Sequence, residues 1–339
     1  MYRYAIKENG KLGFIDEKCD VIIAARFDDV FAGFHDGYAT VAIDGKAGVI
    51  DENGDWVVEP KWSLNISLPY WLKFQDGLMP CKLSGSATYD YVNLSGGVAF
   101  GGFEVAEGFS EGLALVKKKG VWRFIDTDGN DAFLLEREQT KSNLGLSITR
   151  FSEGMAAVRL KGEPPKPTSF DEPGPGMGFV DRSGKVVIEP RFVEARAFSE
   201  GAAVVAEGAG IRKAFSWINT HGERLFDRTC RVAGGGFSEG LACALDDRSQ
   251  RYGYLNRLGE WEIEPFASGA LGGMPFEDGV AVIAIDTTGY GFIDRQGKKL
   301  FDRLFKNATP FDGPLANVSD ESGWGYVDRQ GEPVWWFRS

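Results

Sequence analysis

Phe109-Ser-Glu-Gly-Leu-Ala114 is the stretch that decides the fold, because close copies of its first four residues recur along the chain. We call each four-residue copy a tetrad and number the tetrads in chain order. Seven keep the phenylalanine and an acid–glycine pair, and in the eighth Gly313 and Pro314 replace that pair. The tetrads are Phe34–Gly37, Phe74–Gly77, Phe109–Gly112, Phe151–Gly154, Phe198–Gly201, Phe237–Gly240, Phe276–Gly279 and Phe311–Pro314. Such recurrence indicates a repeat array.

Two tetrads, each with the glycine before it, also match the Gly-x-Ser-x-Gly elbow of serine hydrolases, at Ser110 and Ser238. Other tetrads carry His, Gln or Glu instead of serine, which a structural position tolerates and a nucleophile does not. An elbow further needs a parallel α/β sheet, a helix after the serine and a histidine base. The two histidines, His35 and His221, lie in the first tetrad and in a different kind of turn. We therefore expect no serine catalysis and no enzyme.

A second element alternates with the tetrads, and it has the form Gly-aromatic-aliphatic-Asp/Asn-x-x-Gly. Nine copies are present, and their Asp or Asn residues are Asp16, Asp51, Asn93, Asp126, Asp181, Asn219, Asn256, Asp294 and Asp328. In the first copy Cys19 takes the place of the final glycine. This pattern predicts a turn in which the acid or amide side chain bonds the backbone two residues on, with the glycine at positive φ.

Strands are expected on both sides of each such turn. The aromatic stretch before it and the β-branched run after it, as in Val186-Val-Ile188, favour extended backbone. A third strand lies upstream, joined through short turns such as Asn9-Gly10, Asp44-Gly45 and Lys119-Gly120, which favour two-residue hairpins. Each unit is therefore predicted to form about three antiparallel strands.

Together these motifs resemble the WG-containing repeat (KWG repeat) of bacterial proteins, over nearly the whole chain. The resemblance implies an all-β repeat protein that serves as a binding or scaffold module and brings no catalytic residues. Four departures from the pattern predict local distortion. Val49 replaces an aromatic residue, Asp90 and Arg123 replace a glycine, and Pro314 interrupts the eighth tetrad.

The predicted fold is a tandem array of about nine three-stranded antiparallel units in a single domain, residues 1–339. Units that cannot bury their apolar faces alone must stack on neighbours. Nine units of irregular length favour a curved, open β-solenoid, and a closed, β-propeller-like ring is the alternative. The predicted units lie near 1–33, 34–73, 74–108, 109–150, 151–197, 198–236, 237–275, 276–310 and 311–339.

Composition and charge bound the function. A net charge of −11 opposes a nucleic-acid partner and favours a basic protein. No apolar run is long enough to span a membrane, and the N-terminal residues do not resemble a signal peptide, so we expect a cytoplasmic protein. The pattern does not predict an oligomeric state.

The four cysteines form no CxxC pair and signal no metal site. We expect them to be small buried residues in a reducing compartment, and we expect no cofactor. The tetrad carboxylates at positions 36, 76, 111, 153, 200, 239 and 278 have two interpretations. Each could satisfy amides of its own turn, which is favoured, or together they could form an acidic ladder.

Insertions are the predicted sites of specificity, because repeated residues build the scaffold. The Pro/Gly-rich segment 160–176 presents Phe170, Asp171 and Glu172, either as a recognition surface or as a tolerated loop. A second segment, 63–71, carries Tyr70 and Trp71, as a binding surface or as plain packing. These five residues are the predicted partner-binding residues. A third segment, 134–143, predicts a short helix of no evident role.

The function expected from the sequence is a non-enzymatic protein–protein interaction module with a basic partner. One form is an immunity-type inhibitor that masks the cationic active-site surface of a toxin. The alternative is a receptor that holds a small molecule or glycan among aromatic side chains on the concave face.

Overall fold

The computed structural model describes residues 2–63, 73–135, 149–159, 176–208, 213–268, 272–285 and 289–338. The chain separates into two compact units, residues 1–137 and 138–339. Across these described residues every regular element is a strand, which confirms the all-β prediction. No helix of membrane-spanning length and apolarity occurs in the described ranges.

Over its described residues the first unit contains four antiparallel sheets, with strands hydrogen-bonded in chain order. They are β1 (Tyr4–Glu8), β2 (Lys11–Ile15) and β3 (Val21–Phe27); β4 (Asp29–His35), β5 (Tyr38–Ile43), β6 (Lys46–Asp51) and β7 (Trp56–Trp62); β8 (Leu78–Cys81), β9 (Tyr89–Asn93) and β10 (Val98–Phe103); and β11 (Val105–Ala106), β12 (Ala114–Lys118), β13 (Val121–Ile125) and β14 (Asp131–Leu134).

The second unit contains five sheets of the same kind within its described residues. They are β15 (Met155–Arg159), β16 (Met177–Asp181) and β17 (Val186–Phe192); β18 (Glu194–Ala195), β19 (Ala202–Glu207) and β20 (Ala214–Asn219); β21 (Ala242–Asp246), β22 (Arg251–Leu255) and β23 (Trp261–Ala267); β24 (Val280–Ala284) and β25 (Tyr290–Asp294); and β26 (Asn307–Asp312), β27 (Leu315–Asp320), β28 (Gly323–Val327) and β29 (Pro333–Arg338).

The sheets have two to four strands rather than a uniform three. Three sheets have a fourth strand, which is β4, β11 or β26. The residues of this strand either precede a tetrad or include its first residues. Each tetrad turn itself closes a two-residue hairpin, as at Glu111 (φ 52°) and Gly112 (φ 75°), where Ser110 pairs with Leu113. Chain before a tetrad can therefore fold back on the strand that follows it.

The predicted turns are confirmed. Asn9 and Gly10 have φ of 48° and 81°, so both central residues of that hairpin are left-handed. In the Asp-x-x-Gly turn at Asp181, the carboxylate accepts hydrogen bonds from the amides of Ser183 (2.9 Å) and Lys185 (3.1 Å). Gly184 closes that turn at φ 82°.

In sheets such as β15–β17, the glycine before the aromatic residue has a steric cause. Opposite Gly178 the pairing of β16 with β17 shifts register, and a Cβ on Gly178 would lie 2.5 Å from the Ile188 carbonyl oxygen. Gly13 and Gly253 meet the same obstacle, also at 2.5 Å. The third strand therefore bulges across the second at a point where only glycine leaves room.

The four departures named above have different outcomes. At Asp90, β9 lacks the glycine of the pattern, and Gly101 lies opposite Asp90 on β10, where the register shifts fall at different positions. At Arg123, the pairing of β13 with β14 has one register shift instead of two. At Pro314 the tetrad forms the turn of the hairpin between β26 and β27, in which Asp312 pairs with Leu315. The prediction was wrong for Val49, because β6 and β7 keep the usual register shifts and Val49 is fully buried.

Within each unit, consecutive sheets share hydrophobic cores. Strand β19 shows the principle, because Ala203 and Val205 pack with Phe179 and Ile188 of the preceding sheet. Ala202, Val204 and Ala206 of the same strand, with Trp217 of β20, pack with Ala242 and Leu255 of the following sheet. A sheet buried on both faces depends on its neighbours, as stacked repeats require.

Candidate functional site

Tetrad turns are joined to one another by their acids. The Glu153 carboxylate accepts from the Gly201 amide of the next tetrad (2.8 Å), Glu200 from Gly240 (3.0 Å) and Glu239 from Gly279 (3.0 Å). In the first unit Asp76 accepts from Gly112 (3.1 Å). We call each such contact between consecutive tetrads a joint.

The favoured expectation, that these carboxylates satisfy amides of their own turns, is therefore wrong at these four positions. The acid lies inside a two-residue turn at positive φ, and stacking of the sheets brings the next turn's amide within its reach. The alternative, a ladder of acids, describes the arrangement better. Its carboxylates are engaged with backbone amides.

Tetrad serines strengthen the same joints. The hydroxyl of Ser152 donates to the Phe198 carbonyl (2.8 Å), Ser199 to Phe237 (2.7 Å) and Ser238 to Phe276 (2.6 Å). The acceptor of each serine hydroxyl is thus a backbone carbonyl of the following tetrad. This contact explains why serine recurs without any catalytic requirement.

Arginines complete the joints of the second unit. Arg257 pairs with Glu200 (3.2 Å) and lies 4.5 Å from the centre of the Phe237 ring. Arg295 donates to the Glu239 carbonyl (2.8 Å), and Arg329 to the Asp278 carbonyl (2.9 Å). Each arginine directly follows the Asp or Asn of the second repeat element, and this sequence signal was missed.

A second set of arginines links the outer strands. Arg228 donates from Nε to the Gly259 carbonyl of the next sheet (2.8 Å) and lies over the Trp261 ring, 5.0 Å from its centre. Arg26 makes the same contact with the Gly54 carbonyl, and Arg191 with the Gly222 carbonyl. Charge-assisted bonds of this kind fix one sheet on the next.

A cleft of about 570 Å³ lies beside strand β23. The hairpin of β21 and β22 is closed by residues 247–250 in place of a two-residue turn, and this larger turn borders the cleft together with β23. The lining residues are Arg228, Asp246, Asp247, Arg248, Ser249, Trp261, Glu264 and Pro265. Trp261 is half-buried at the cleft, with the Arg228 guanidinium over its ring.

Three acidic and two basic side chains line this cleft. Hydrogen bonds from the side chain and amide of Ser249 lower the pKa of Asp246 and keep it ionised. Asp247 pairs with Arg231 (3.2 Å). Glu264 is exposed, as are Glu260 and Glu262 on the same strand or beside it. The cleft thus combines an aromatic surface with carboxylates, an arrangement suited to a cationic side chain.

Comparison with known proteins identifies the repeat. The family model described as "WG containing repeat" matches residues 13–46, 91–122, 177–208 and 290–322. The chain contains WG-containing repeats at these four positions. No curated protein matches it.

Two solved structures show a related fold at very low sequence identity to this WG-repeat chain. A eukaryotic initiation factor has a TM-score of 0.57 at 10% identity, over 90% of this chain and 85% of that one. Dipeptidyl peptidase 4 of Porphyromonas gingivalis has a TM-score of 0.54 at 9% identity, over 89% of this chain and 57% of that one. Likeness at this identity shows the fold alone.

The predicted partner-binding residues of the WG-repeat chain, Tyr70, Trp71, Phe170, Asp171 and Glu172, lie outside the described residues. Their assignment stays a prediction. The cleft beside Trp261 was missed because it arises where a longer hairpin turn meets the edge strand of the same sheet. The signal in the sequence was the Asp246-Asp-Arg-Ser-Gln250 turn, which replaces the usual two-residue hairpin.

Three of the four cysteines are buried as expected, and all four are free thiols. Burial raises the pKa of Cys81, Cys230 and Cys243 to about 12, so these thiols stay protonated. Cys19 differs, being half-buried in a turn at φ 67°. Within the described ranges no group of three or more His, Cys, Asp or Glu is placed to hold a metal ion.

Proposed function

We propose that this WG-repeat chain is a non-enzymatic interaction module that binds a basic protein, and that the cleft beside Trp261 is part of the binding surface. The observation that carries the proposal is the cleft itself, where Asp246, Asp247 and Glu264 line the same surface as the half-buried Trp261, together with Arg228 and Arg248. Aromatic side chains with nearby carboxylates are suited to lysine and arginine.

The repeated residues and the variable residues have different roles, and this difference supports the proposal. Tetrad serines and acids, and the arginines beside them, are engaged in the joints between sheets, as at Ser238, Glu200 and Arg257. Binding then falls to surfaces where the repeat varies, such as the longer turn at 247–250. The net charge of −11 adds a field that attracts a cationic partner over distance.

The test is capture of partners by matched variants. Glu264 and Glu59 occupy the same place in an x-Glu-Pro sequence on the third strand of two repeats, and each follows a tryptophan, Trp261 or Trp56. Glu264→Lys and Glu59→Lys make the same charge change, but only Glu264 lines the cleft. Quantitative mass spectrometry of proteins retained from the native cell should show basic proteins kept by wild type and Glu59→Lys and lost with Glu264→Lys. Equal retention by both variants would contradict the proposed site.

One concrete form of the proposal is an immunity-type inhibitor, in which this chain masks the cationic active-site surface of a toxin. The captured protein would then be a basic enzyme. Addition of the WG-repeat chain would inhibit that enzyme at a one-to-one ratio.

The alternative function is a receptor for a small molecule or glycan, and the cleft volume with its half-buried Trp261 favours it. A ligand that stacks on Trp261 would change tryptophan fluorescence in wild type. The change would vanish in Trp261→Phe.

Nine repeat units in a curved, open array and a cytoplasmic location stay predictions. Small-angle scattering tests the first, because an open array gives an elongated or crescent envelope. A flat disc with a central hole would favour the closed ring.

A further inference from the structure

The joint between tetrads seven and eight lacks two groups that the preceding joints use. Glu277 stands where Ser152, Ser199 and Ser238 donate a hydroxyl to the next tetrad. Pro314 stands where the next tetrad would offer a glycine amide. Because proline has no amide hydrogen, Asp278 cannot receive the bond that Glu153, Glu200 and Glu239 each accept.

Carboxyl groups crowd this joint. Glu277 faces Asp278 of its own tetrad, Asp312 of tetrad eight and Glu239 of tetrad six. Two guanidinium groups are near, since Arg295 lies 3.7 Å from Glu239 and Arg329 lies 3.7 Å from Asp278. Arg329 also donates to the Gly313 carbonyl (3.2 Å), so it bridges the two tetrads.

Desolvation at the joint, with the neighbouring negative charges, raises the pKa of Glu277, although this residue is exposed. Desolvation and the charge of Asp278 likewise raise the pKa of Asp312, which is also exposed. The Tyr326 hydroxyl faces Asp312 and stays protonated, because burial raises its pKa to about 12. Glu277 and Asp312 therefore bind protons more readily than carboxyls that have no such neighbours.

We propose that the joint between tetrads seven and eight is a proton-dependent joint, which holds sheet β26–β29 more firmly on β24–β25 when Glu277 or Asp312 is protonated. A protonated carboxyl supplies the donor that serine supplies elsewhere, and it removes repulsion among the facing carboxylates. When Glu277 and Asp312 are both ionised, neither carboxylate can donate a hydrogen bond, and Arg329 still bridges the two tetrads.

The sign of the pH dependence follows from linkage. A carboxyl with a raised pKa in the folded chain contributes stability that is present below its usual value, 4.5 for Glu277 and 3.8 for Asp312. That contribution is lost as the pH rises through the raised value. The joint should thus loosen between mildly acidic and neutral pH.

The test compares wild type with Glu277→Gln and Asp312→Asn in the full chain. Amide groups keep size and donor capacity but do not ionise. Between about pH 4.5 and about pH 7.5, the folding equilibrium constant of wild type should fall relative to each variant, by about tenfold for each pH unit that separates the usual from the raised pKa. Glu189→Gln, an exposed glutamate on β17, is the control and should follow wild type.

Two further measurements locate the effect. Amide hydrogen exchange in residues 305–320, corrected for the intrinsic effect of pH, should accelerate with pH in wild type and not in Glu277→Gln. Ser238→Glu, which places a carboxyl in the preceding joint, should create a new pH dependence there. Superimposable pH profiles of wild type, Glu277→Gln and Asp312→Asn would overturn the proposal.

Discussion

The Glu200 carboxylate accepts a hydrogen bond from the Gly240 amide, 3.0 Å away and 40 residues further along the chain. Arg257 contacts the same carboxylate at 3.2 Å. The acid of one tetrad thus caps the turn of the next, and the arginine that follows Asn256 secures it. This three-group contact makes the joints a source of stability.

Glu200→Ala should destabilise the second unit by about 1 to 2 kcal/mol, because the Gly240 amide and Arg257 lose their partner. The loss is no larger because solvent screens a carboxylate that is 36% exposed. Urea unfolding measures the change. Glu189→Ala, on an exposed strand position, is the control and should stay within about 0.5 kcal/mol of wild type. Equal effects of the two substitutions would show that the joint contributes nothing.

Two glycines separate backbone strain from crowding. Gly297 and Gly279 have nearly equal φ, 75° and 77°, but a Cβ on Gly297 would lie 2.6 Å from Ile263 while one on Gly279 meets nothing within 4 Å. Both alanine variants carry the strain of positive φ, about 1 kcal/mol, and Gly297→Ala should lose about 1 to 3 kcal/mol more through overpacking. Thermal unfolding measures both. A Gly279→Ala loss as large as that of Gly297→Ala would contradict the stacked-turn geometry.

Ser238→Ala should cost about 1 kcal/mol, because the Phe276 carbonyl loses a donor, and it should leave partner binding unchanged. A fluorophosphonate probe should not label Ser238 or Ser110 in wild type. Ser199→Ala, which removes the equivalent bond, is the matched variant and should have a similar effect. Covalent labelling of either serine would contradict the non-enzyme proposal.

Cys19→Gly should stabilise the first unit. Cys19 has φ 67° at the turn position that is glycine in the other eight copies, and relief of that strain is worth up to about 1 kcal/mol. Greater freedom of glycine in the unfolded chain offsets part of the gain. The melting temperature of Cys19→Ala, which keeps the strain, is the control. A lower melting temperature for Cys19→Gly than for Cys19→Ala would contradict the assignment.

The turns and strands of this chain were predictable because they depend on local chemistry. Asn9-Gly10 and the Asp181-to-Gly184 turn carry their own conformational requirements within four residues, and the structure has them as predicted. The repeat itself supplied the order of the elements.

The contacts between repeats were less predictable, because they join residues far apart in sequence. Nothing near Glu200 indicates that its partner is the Gly240 amide, and the sequence alone favoured a local partner. The obstacle that requires Gly178 comes from the Ile188 carbonyl of a bulged strand. The cleft beside Trp261 depends on how the 247–250 turn lies over an edge strand, which sequence periodicity does not specify.

The association rate of the captured basic partner tests the central claim most directly. Surface plasmon resonance at about 0.05 M and about 0.2 M salt should show slower association at higher salt for wild type, since exposed charges are screened beyond about 10 Å at 0.1 M ionic strength. Glu264→Lys should associate more slowly than Glu59→Lys, which carries the same net charge. Association that is independent of salt and equal in the two variants would contradict a charge-steered binding surface at this cleft.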